Sequence, residues 1–264
     1  MKSGLPEFRV WVDKHPDPSW ELMPLTHIAT GIGAEEIIRA GQVSPTDCEV
    51  LKEPLAYFFY GRPAYRLHGD GAVKVEAACP YCFIFDAALI KKAKAIHAFD
   101  TGAFSKRLYK HILLDEMNIE DFSLERDERR PNRMIATVFS SMRRYFEGDT
   151  SKILAPHMGA EPREFHARAY LQLLSSPGRN EPDDRICSIE VVFDKAVQLA
   201  GNLRAVIVPH TLWGEASKAR WLEKLQLEDV EIEPYIFVPN RHAQHYYALL
   251  ATAVRDLYER WGIL

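Results

Sequence analysis

The pattern of hydrophobic and polar positions along the chain predicts a protein of mixed α and β structure. Short apolar runs bounded by glycine, proline or aspartate predict strands. These runs are RVWV at 9–12, LTHIAT at 25–30, LAYFFY at 55–60, ICSIEVVF at 186–193, LRAVIVP at 203–209 and EIEPYIFVP at 231–239. The segment VKVEAACPYCFIFD at 73–86 is also rich in residues that favour strands.

Apolar residues at helical spacing predict helices between these strands. AEEIIRAG at 34–41 is typical of a short helix that ends at Gly41, because glycine readily takes the left-handed conformation there. From Tyr246 onward, the same spacing predicts a terminal amphipathic helix packed on the core. Helices are also expected at 87–96 and 163–176, and the region near 104–180 is expected to be mainly helical.

Composition and charge narrow the class of protein. The chain has 264 residues, 47% hydrophobic and 27% charged, without repeats or an obvious linker, so a single α+β domain over 1–264 is predicted. A formal net charge of −4 excludes the global basic character of proteins that coat nucleic acid. The sequence has no run of about 18 apolar residues, so no membrane span is predicted. Without an apolar signal-peptide core at the N-terminus, the four cysteines are expected to be reduced thiols in the cytoplasm.

The sequence CPYC at 79–82 is a candidate metal site. Two thiolates at this spacing can hold zinc, but a structural zinc site needs four ligands. Cys48 and Cys187 are isolated in the sequence. We therefore expect no metal, with Cys82 as a small buried hydrophobic residue.

The turn TGIGAEE at 30–36 places two glycines before the first predicted helix. A dinucleotide-binding fingerprint would need a small residue in place of Glu36, so a classical Rossmann site is not expected. Backbone amides at Thr30 and Gly31 can still contact a phosphate or a carboxamide, and the alternative is a simple turn. His27, on the preceding strand, is either an ordinary core histidine or a functional one.

Two charged residues stand where a strand does not need them. Arg62, flanked by Gly61 and Pro63, interrupts an aromatic run at 54–70. Glu190 stands between an isoleucine and a valine, where an unpaired buried carboxylate would be costly. Either Glu190 points to solvent, or it forms the floor of a cleft.

Taken in order along the chain, these segments resemble the DarT-type ADP-ribosyltransferases. LTHIA, followed by AEEIIRAGQVSP and PLAYFFYGRPAYR, is similar to the opening of that family, in which a histidine on the first strand precedes a short helix and an arginine before a proline. CFIFDAALIKKAKAIHAFDTGAF at 82–104 is similar to the family's next strand, helix and F-x-D-G-type segment. Glu190 stands where the family has its catalytic glutamate, whereas the region near 104–180 has no match.

The resemblance implies a central, mostly antiparallel mixed β-sheet of the split-sheet ADP-ribosyltransferase type, with helices around it. It also implies that NAD is a co-substrate, cleaved between nicotinamide and ribose, and that ADP-ribose passes to DNA, RNA or protein. A toxin of the phage-defence type, with a neutralising partner, is implied as well.

The chemistry of this reaction gives each candidate residue a role. The transition state resembles an oxocarbenium ion, which the Glu190 carboxylate can stabilise. Arg62 suits the pyrophosphate or the reacting ribose, because its guanidinium matches such oxygens in a fork geometry. Tyr60 or Tyr65 would stack on nicotinamide, and His27 would hydrogen-bond a ribose hydroxyl. His27, Arg62 and Glu190 are predicted to converge on one cleft.

Other functions stay open. An NAD glycohydrolase would use the same pocket without a macromolecular acceptor. A non-catalytic interaction protein would hold Arg62 and Glu190 as a buried ion pair. The arginines and aromatic residues of RMIATVFSSMRRYF at 133–146 would contact a nucleic-acid strand or form an ordinary solvated helix face.

Overall fold

The predicted fold class is confirmed: the protein is α+β, with a mostly antiparallel mixed β-sheet and helices around it. A computed structural model describes residues 7–48, 52–64, 72–153, 158–175, 184–212, 220 and 229–264. None of the helices in these ranges combines the length and the apolar character needed to cross a membrane. The chain divides into two units, Met1–Leu22 with Glu49–Lys52 and Ile90–Val192, and Met23–Cys48 with Glu53–Leu89 and Phe193–Leu264.

The second of these units is built around strand β1 (Leu25–Thr30). It pairs antiparallel with β4 (Glu53–Tyr60) on one side and with β6 (Pro80–Phe85) on the other. Beyond β6 lie β11 (Leu203–Pro209), antiparallel to it, and β12 (Glu231–Tyr235), parallel to β11. Shorter strands complete the unit: β3 (Thr46–Cys48) pairs with β4, β2 (Gln42–Val43) with β10 (Val197–Gln198), and β5 (Ala72–Val73) with β13 (Arg241–His242).

Two helices of this unit lie where the sequence predicts them, although each begins three residues before the predicted segment. Helix α2 (Gly31–Ala40) ends at Gly41, whose φ of 69° is the left-handed conformation expected of a C-terminal glycine. The C-terminal helix α7 (Ala243–Arg260) packs on β6, β11 and β12. Its buried face consists of Tyr246, Leu250, Val254, Leu257 and Tyr258. The predicted terminal amphipathic helix is therefore confirmed.

The first unit combines a short antiparallel sheet with helices. Strand β7 (Ala95–His97) lies between β8 (Ser123–Glu125) and β9 (Glu190–Phe193). The helices are α1 (Phe8–Asp13), α3 (Thr101–Ser105), α4 (Arg130–Val138), α5 (Met142–Glu147) and α6 (Phe165–Ser175). Aromatic rings of Phe8, Phe99, Phe122 and Tyr170 contact one another in its core.

Several segments take a different structure from the one predicted. Of ICSIEVVF, only Glu190–Phe193 is a strand, and Asp184–Cys187 is a 3₁₀ helix. The RVWV segment is part of helix α1, not a strand, and the buried residues Phe8, Trp11 and Val12 share one helical face. A short apolar run does not distinguish strand from helix, and packing against α4 and α6 decides. The segment 87–96 forms a 3₁₀ helix, Ala87–Lys92, followed by β7, instead of one α-helix.

Candidate active site

The Glu190 carboxylate is buried in the first unit, at the first residue of β9. Its exposed fraction is 2%, so the alternative that it points to solvent is wrong. The hydroxyl of Thr101 donates to Oε1 over 2.7 Å, and the backbone N–H of Thr101 donates to Oε2 over 3.2 Å. Both carboxylate oxygens thus accept hydrogen bonds, as a buried negative charge requires.

Thr101 is placed by the start of helix α3. Asp100 caps this helix, since its Oδ1 accepts a hydrogen bond from the backbone N–H of Ala103 over 2.6 Å. The helix therefore begins at Thr101, whose own N–H has no partner within the helix and is available to Glu190. The segment that resembles the F-x-D-G-type motif supplies both hydrogen bonds to the carboxylate.

His97 lies directly opposite Glu190 in the β7–β9 pair. Residues opposite each other in an antiparallel pair project from the same face of the sheet. The ring is 1% exposed, and within the described residues neither Nδ1 nor Nε2 has a hydrogen-bond partner. Burial lowers the pKa of His97 to about 4, so the imidazole is neutral at neutral pH. His97 is not among the site residues predicted from the sequence, because only the strand register shows that it faces Glu190.

This buried histidine makes the stability of the fold depend on pH. The pKa of His97 is about 4 in the folded chain and near 6.5 when unfolded, so the unfolded chain binds more protons between these values. The stability that comes from keeping His97 neutral is complete above the pKa of His97 in the unfolded chain. It is lost as the pH falls towards the pKa of His97 in the folded chain. We expect the free energy of unfolding, measured in urea, to fall from about pH 7 to about pH 5 more in the native protein than in His97→Phe. An equal fall in both proteins would contradict the assignment.

Arg62 follows β4 in the second unit, and two side-chain hydrogen bonds hold the backbone of Arg62 and Pro63. The hydroxyl of Thr26, the neighbour of His27 on β1, donates to the carbonyl oxygen of Arg62 over 3.0 Å. The hydroxyl of Tyr247 on helix α7 donates to the carbonyl oxygen of Pro63. The Arg62 residue is 6% exposed, which places a permanent positive charge in a largely buried position.

Gly61 makes this turn possible. Its φ of 73° is left-handed, and its N–H donates to the carbonyl oxygen of Pro24 over 2.8 Å. A Cβ atom at this position would lie 2.6 Å from Sδ of the buried Met23. The glycine before Arg62 is therefore required by both conformation and space.

His27 presents a defined tautomer on β1. Its Nδ1 lies 2.8 Å from the carbonyl oxygen of Tyr57, and since a carbonyl only accepts, Nδ1 carries the proton. Burial lowers the pKa of His27, although the contact with Tyr57 opposes this. In the neutral ring Nε2 is then a hydrogen-bond acceptor, which is the property that a contact with a ribose hydroxyl needs.

The remaining residues predicted to bind NAD differ in their contacts and burial. Thr30 caps helix α2, because its Oγ1 accepts from the N–H of Gly33 over 3.3 Å, and Gly31 is the buried first residue of that helix. Tyr60 is fully buried, and its hydroxyl accepts from the backbone N–H of Met23 over 2.9 Å. Tyr65 lies outside the described residues.

Three of the predicted site residues lie on adjoining strands or just beyond them. His27, Tyr60 and Arg62 lie on neighbouring strands or just beyond them within the second unit. Glu190 belongs to the first unit. That His27, Arg62 and Glu190 converge on one cleft stays a prediction.

The CPYC segment has the surroundings of a structural element. Cys82 lies fully buried on β6, and burial raises the pKa of its thiol. A thiol in this state is protonated, whereas metals bind thiolates. Across the described ranges, no cluster of three or more His, Cys, Asp or Glu side chains is placed to hold a metal ion.

The arginines of the segment 133–146 have acidic partners within the first unit. The pairs are Arg133 with Asp13 at 3.5 Å, Arg143 with Glu147 at 3.9 Å and Arg144 with Asp149 at 3.1 Å. Such pairs are common on helix surfaces and add little stability. This pairing favours the ordinary helix face over a nucleic-acid contact.

Comparison of the chain with protein-family models, curated proteins and solved structures finds no match. The resemblance to the DarT-type ADP-ribosyltransferases therefore rests on the short segments quoted above.

Proposed function

We propose that this protein is a mono-ADP-ribosyltransferase. It cleaves NAD between nicotinamide and ribose and transfers ADP-ribose to a macromolecule, with nucleic acid as one candidate. The observation that carries the proposal is the buried Glu190 carboxylate, held through both oxygens by Thr101. A strand that needed only packing would place an apolar residue there, and ionisable groups kept at such a cost cluster at functional sites.

The proposed reaction uses the charge of Glu190. The bond between nicotinamide nitrogen and ribose carbon breaks, nicotinamide leaves with the bonding electron pair, and positive charge develops on the ribose. The carboxylate stabilises this charge, and the two hydrogen bonds from Thr101 fix its orientation beforehand. A nucleophilic atom of the acceptor then bonds to the ribose carbon and releases its proton.

The other predicted residues supply the proposed contacts with the rest of NAD. Arg62 binds the pyrophosphate or the ribose through its guanidinium. His27 accepts a hydrogen bond from a ribose hydroxyl through Nε2, given the proton on Nδ1. The start of helix α2 at Thr30 and Gly31 contacts the carboxamide or a phosphate, and Tyr60 stacks on nicotinamide.

Incubation with NAD labelled in the ADP-ribose part tests this function. We expect free nicotinamide together with label on an added macromolecule, DNA, RNA or protein. Nicotinamide without macromolecular label would instead indicate an NAD glycohydrolase. If neither nicotinamide nor labelled macromolecule forms at high protein and NAD concentrations, both enzymatic functions are contradicted. The non-catalytic interaction protein then remains.

Arg62→Ala is expected to raise the NAD concentration needed for half-maximal rate and to lower the rate as well. A charge-assisted hydrogen bond contributes about 1.5–3 kcal/mol, so kcat/KM should fall about tenfold to a hundredfold. Arg62→Lys keeps the charge but loses the fork geometry, and we expect an intermediate loss. Steady-state nicotinamide release measures each variant.

Arg255→Ala is the matched control for that change. Arg255 lies on the surface of helix α7 and pairs with its neighbour Asp256, so its loss removes one positive charge that the proposed site does not use. Its kinetics should equal those of the native protein. A folded Arg62→Ala with native kinetics would remove Arg62 from the proposal.

A further inference from the structure

The hydrogen-bonding groups of the His97 ring are not used by the residues around it. Among the described residues neither of its ring nitrogens has a hydrogen-bond partner, although the ring is almost fully buried. Its neighbour on the other side of β7, Ser123, already accepts a hydrogen bond from the N–H of Glu125 over 3.0 Å. Strand packing therefore does not account for an imidazole at this position.

A buried polar side chain without a partner destabilises a fold. More than about nine in ten buried polar groups in proteins are hydrogen-bonded, and an apolar residue of the same shape avoids the loss. Phenylalanine fits a strand and fills a similar space. Positions where a chain keeps such a locally unfavourable residue are expected to be functional sites.

The face shared by His97 and Glu190 is selective for one kind of ligand group. The carboxylate of Glu190 only accepts hydrogen bonds, and a neutral imidazole has one donor and one acceptor. Acceptors therefore outnumber donors, and the carboxylate repels phosphate oxygens. Neighbouring hydroxyls of a sugar, which donate as well as accept, fit this face.

We propose that His97 is a ligand-contacting residue of the Glu190 site and hydrogen-bonds a hydroxyl of the ribose that Glu190 stabilises. This inference rests on the proposed function. Because both side chains are almost fully buried, the ligand reaches them after a local opening of this unit.

Two measurements on His97→Phe test the inference. Without ligand, the variant should melt about 2–4 °C above the native protein, since a residue that lacked partners is replaced by an apolar one. A carbocyclic NAD analogue keeps the ribose hydroxyls but is not cleaved. The variant should bind this analogue with a dissociation constant about tenfold higher than that of the native protein. His97→Gln, which keeps one donor and one acceptor, should recover part of the affinity.

His166→Phe is the matched control in the same unit. His166 is also buried, but its Nε2 lies 3.5 Å from Oδ2 of Asp121, so its ring has a partner to lose. This variant should melt below the native protein and bind the analogue as the native protein does. Opposite signs of the two melting shifts would identify His97 as the residue without a structural partner.

The outcomes separate the inference from the proposed function. If the native protein binds the analogue and His97→Phe binds it equally well, the inference is wrong and the proposed function stands. A His97→Phe that melts below the native protein would show a structural role and overturn the inference too. If the native protein neither binds the analogue nor releases nicotinamide from NAD, the proposed function fails and the inference fails with it.

Discussion

Glu190→Gln is expected to lower nicotinamide release about a hundredfold to a thousandfold while the fold and the NAD affinity stay nearly unchanged. The amide has the shape of the carboxylate but no negative charge for the oxocarbenium-like transition state. Its oxygen can still accept from the N–H of Thr101, and its NH₂ group can donate to the hydroxyl of Thr101 after that hydroxyl rotates. The loss corresponds to about 3–4 kcal/mol of transition-state stabilisation.

Glu164→Gln is the control for the burial of a glutamate in the same unit. Glu164 is 2% exposed, pairs with Lys14 at 2.8 Å and accepts from the N–H of Glu161 over 2.8 Å. It should release nicotinamide at the native rate. A folded Glu190→Gln that keeps the native rate would remove Glu190 from the mechanism and most of the proposed function with it.

The same pair of variants tests the expectation, implied by the family resemblance, that the protein is a growth-arresting toxin. Cells that express the native protein should stop growing, whereas cells that express Glu190→Gln should grow. Glu164→Gln should remain toxic. Growth arrest by Glu190→Gln would separate the toxicity from NAD cleavage.

Gly61→Ala is expected to lower the free energy of unfolding by about 2–5 kcal/mol. The left-handed φ of 73° costs an alanine about 1–2 kcal/mol. The added methyl group would also lie 2.6 Å from Sδ of the fully buried Met23, and such overpacking costs about 1–3 kcal/mol more. Urea unfolding of the native and variant proteins measures the sum.

Gly41→Ala separates these two contributions. Gly41 has a nearly equal φ of 69°, but no atom lies within 4 Å of the position that a Cβ would take. Only the conformational cost of about 1–2 kcal/mol is therefore expected. Equal losses for Gly41→Ala and Gly61→Ala would show that Met23 adjusts freely. In that case the glycine before Arg62 is required by conformation alone.

Some strands could be predicted from their apolar runs alone. Strands β1, β4 and β11 were predicted correctly because their runs are long and rich in β-branched or aromatic residues. The prediction of a strand at RVWV was wrong because four residues satisfy both strand and helix spacing. The contacts with α4 and α6 that decide its structure are non-local. Strand order, with β1 between β4 and β6, depends on pairing that no local pattern encodes.

The sequence singles out the residues of the candidate site but not their contacts. Glu190 stood out because a glutamate is unusual in an apolar strand. Its burial depends on Thr101, which is 89 residues away in the sequence. His97 carried no signal at all, since its place opposite Glu190 follows from the register of two strands that are distant in the chain. The arginine turn was visible in the sequence, whereas its anchor on helix α7 was not.

That anchor has a consequence for synthesis of the chain. The Tyr247 hydroxyl that binds the carbonyl oxygen of Pro63 is 184 residues further along the sequence. Ribosomes add about 5–20 residues per second, so roughly ten to forty seconds pass between translation of the turn and translation of its anchor. During that interval the turn at Arg62 lacks the hydrogen bond from helix α7. The turn is therefore completed late in translation, after most of the polypeptide has left the ribosome.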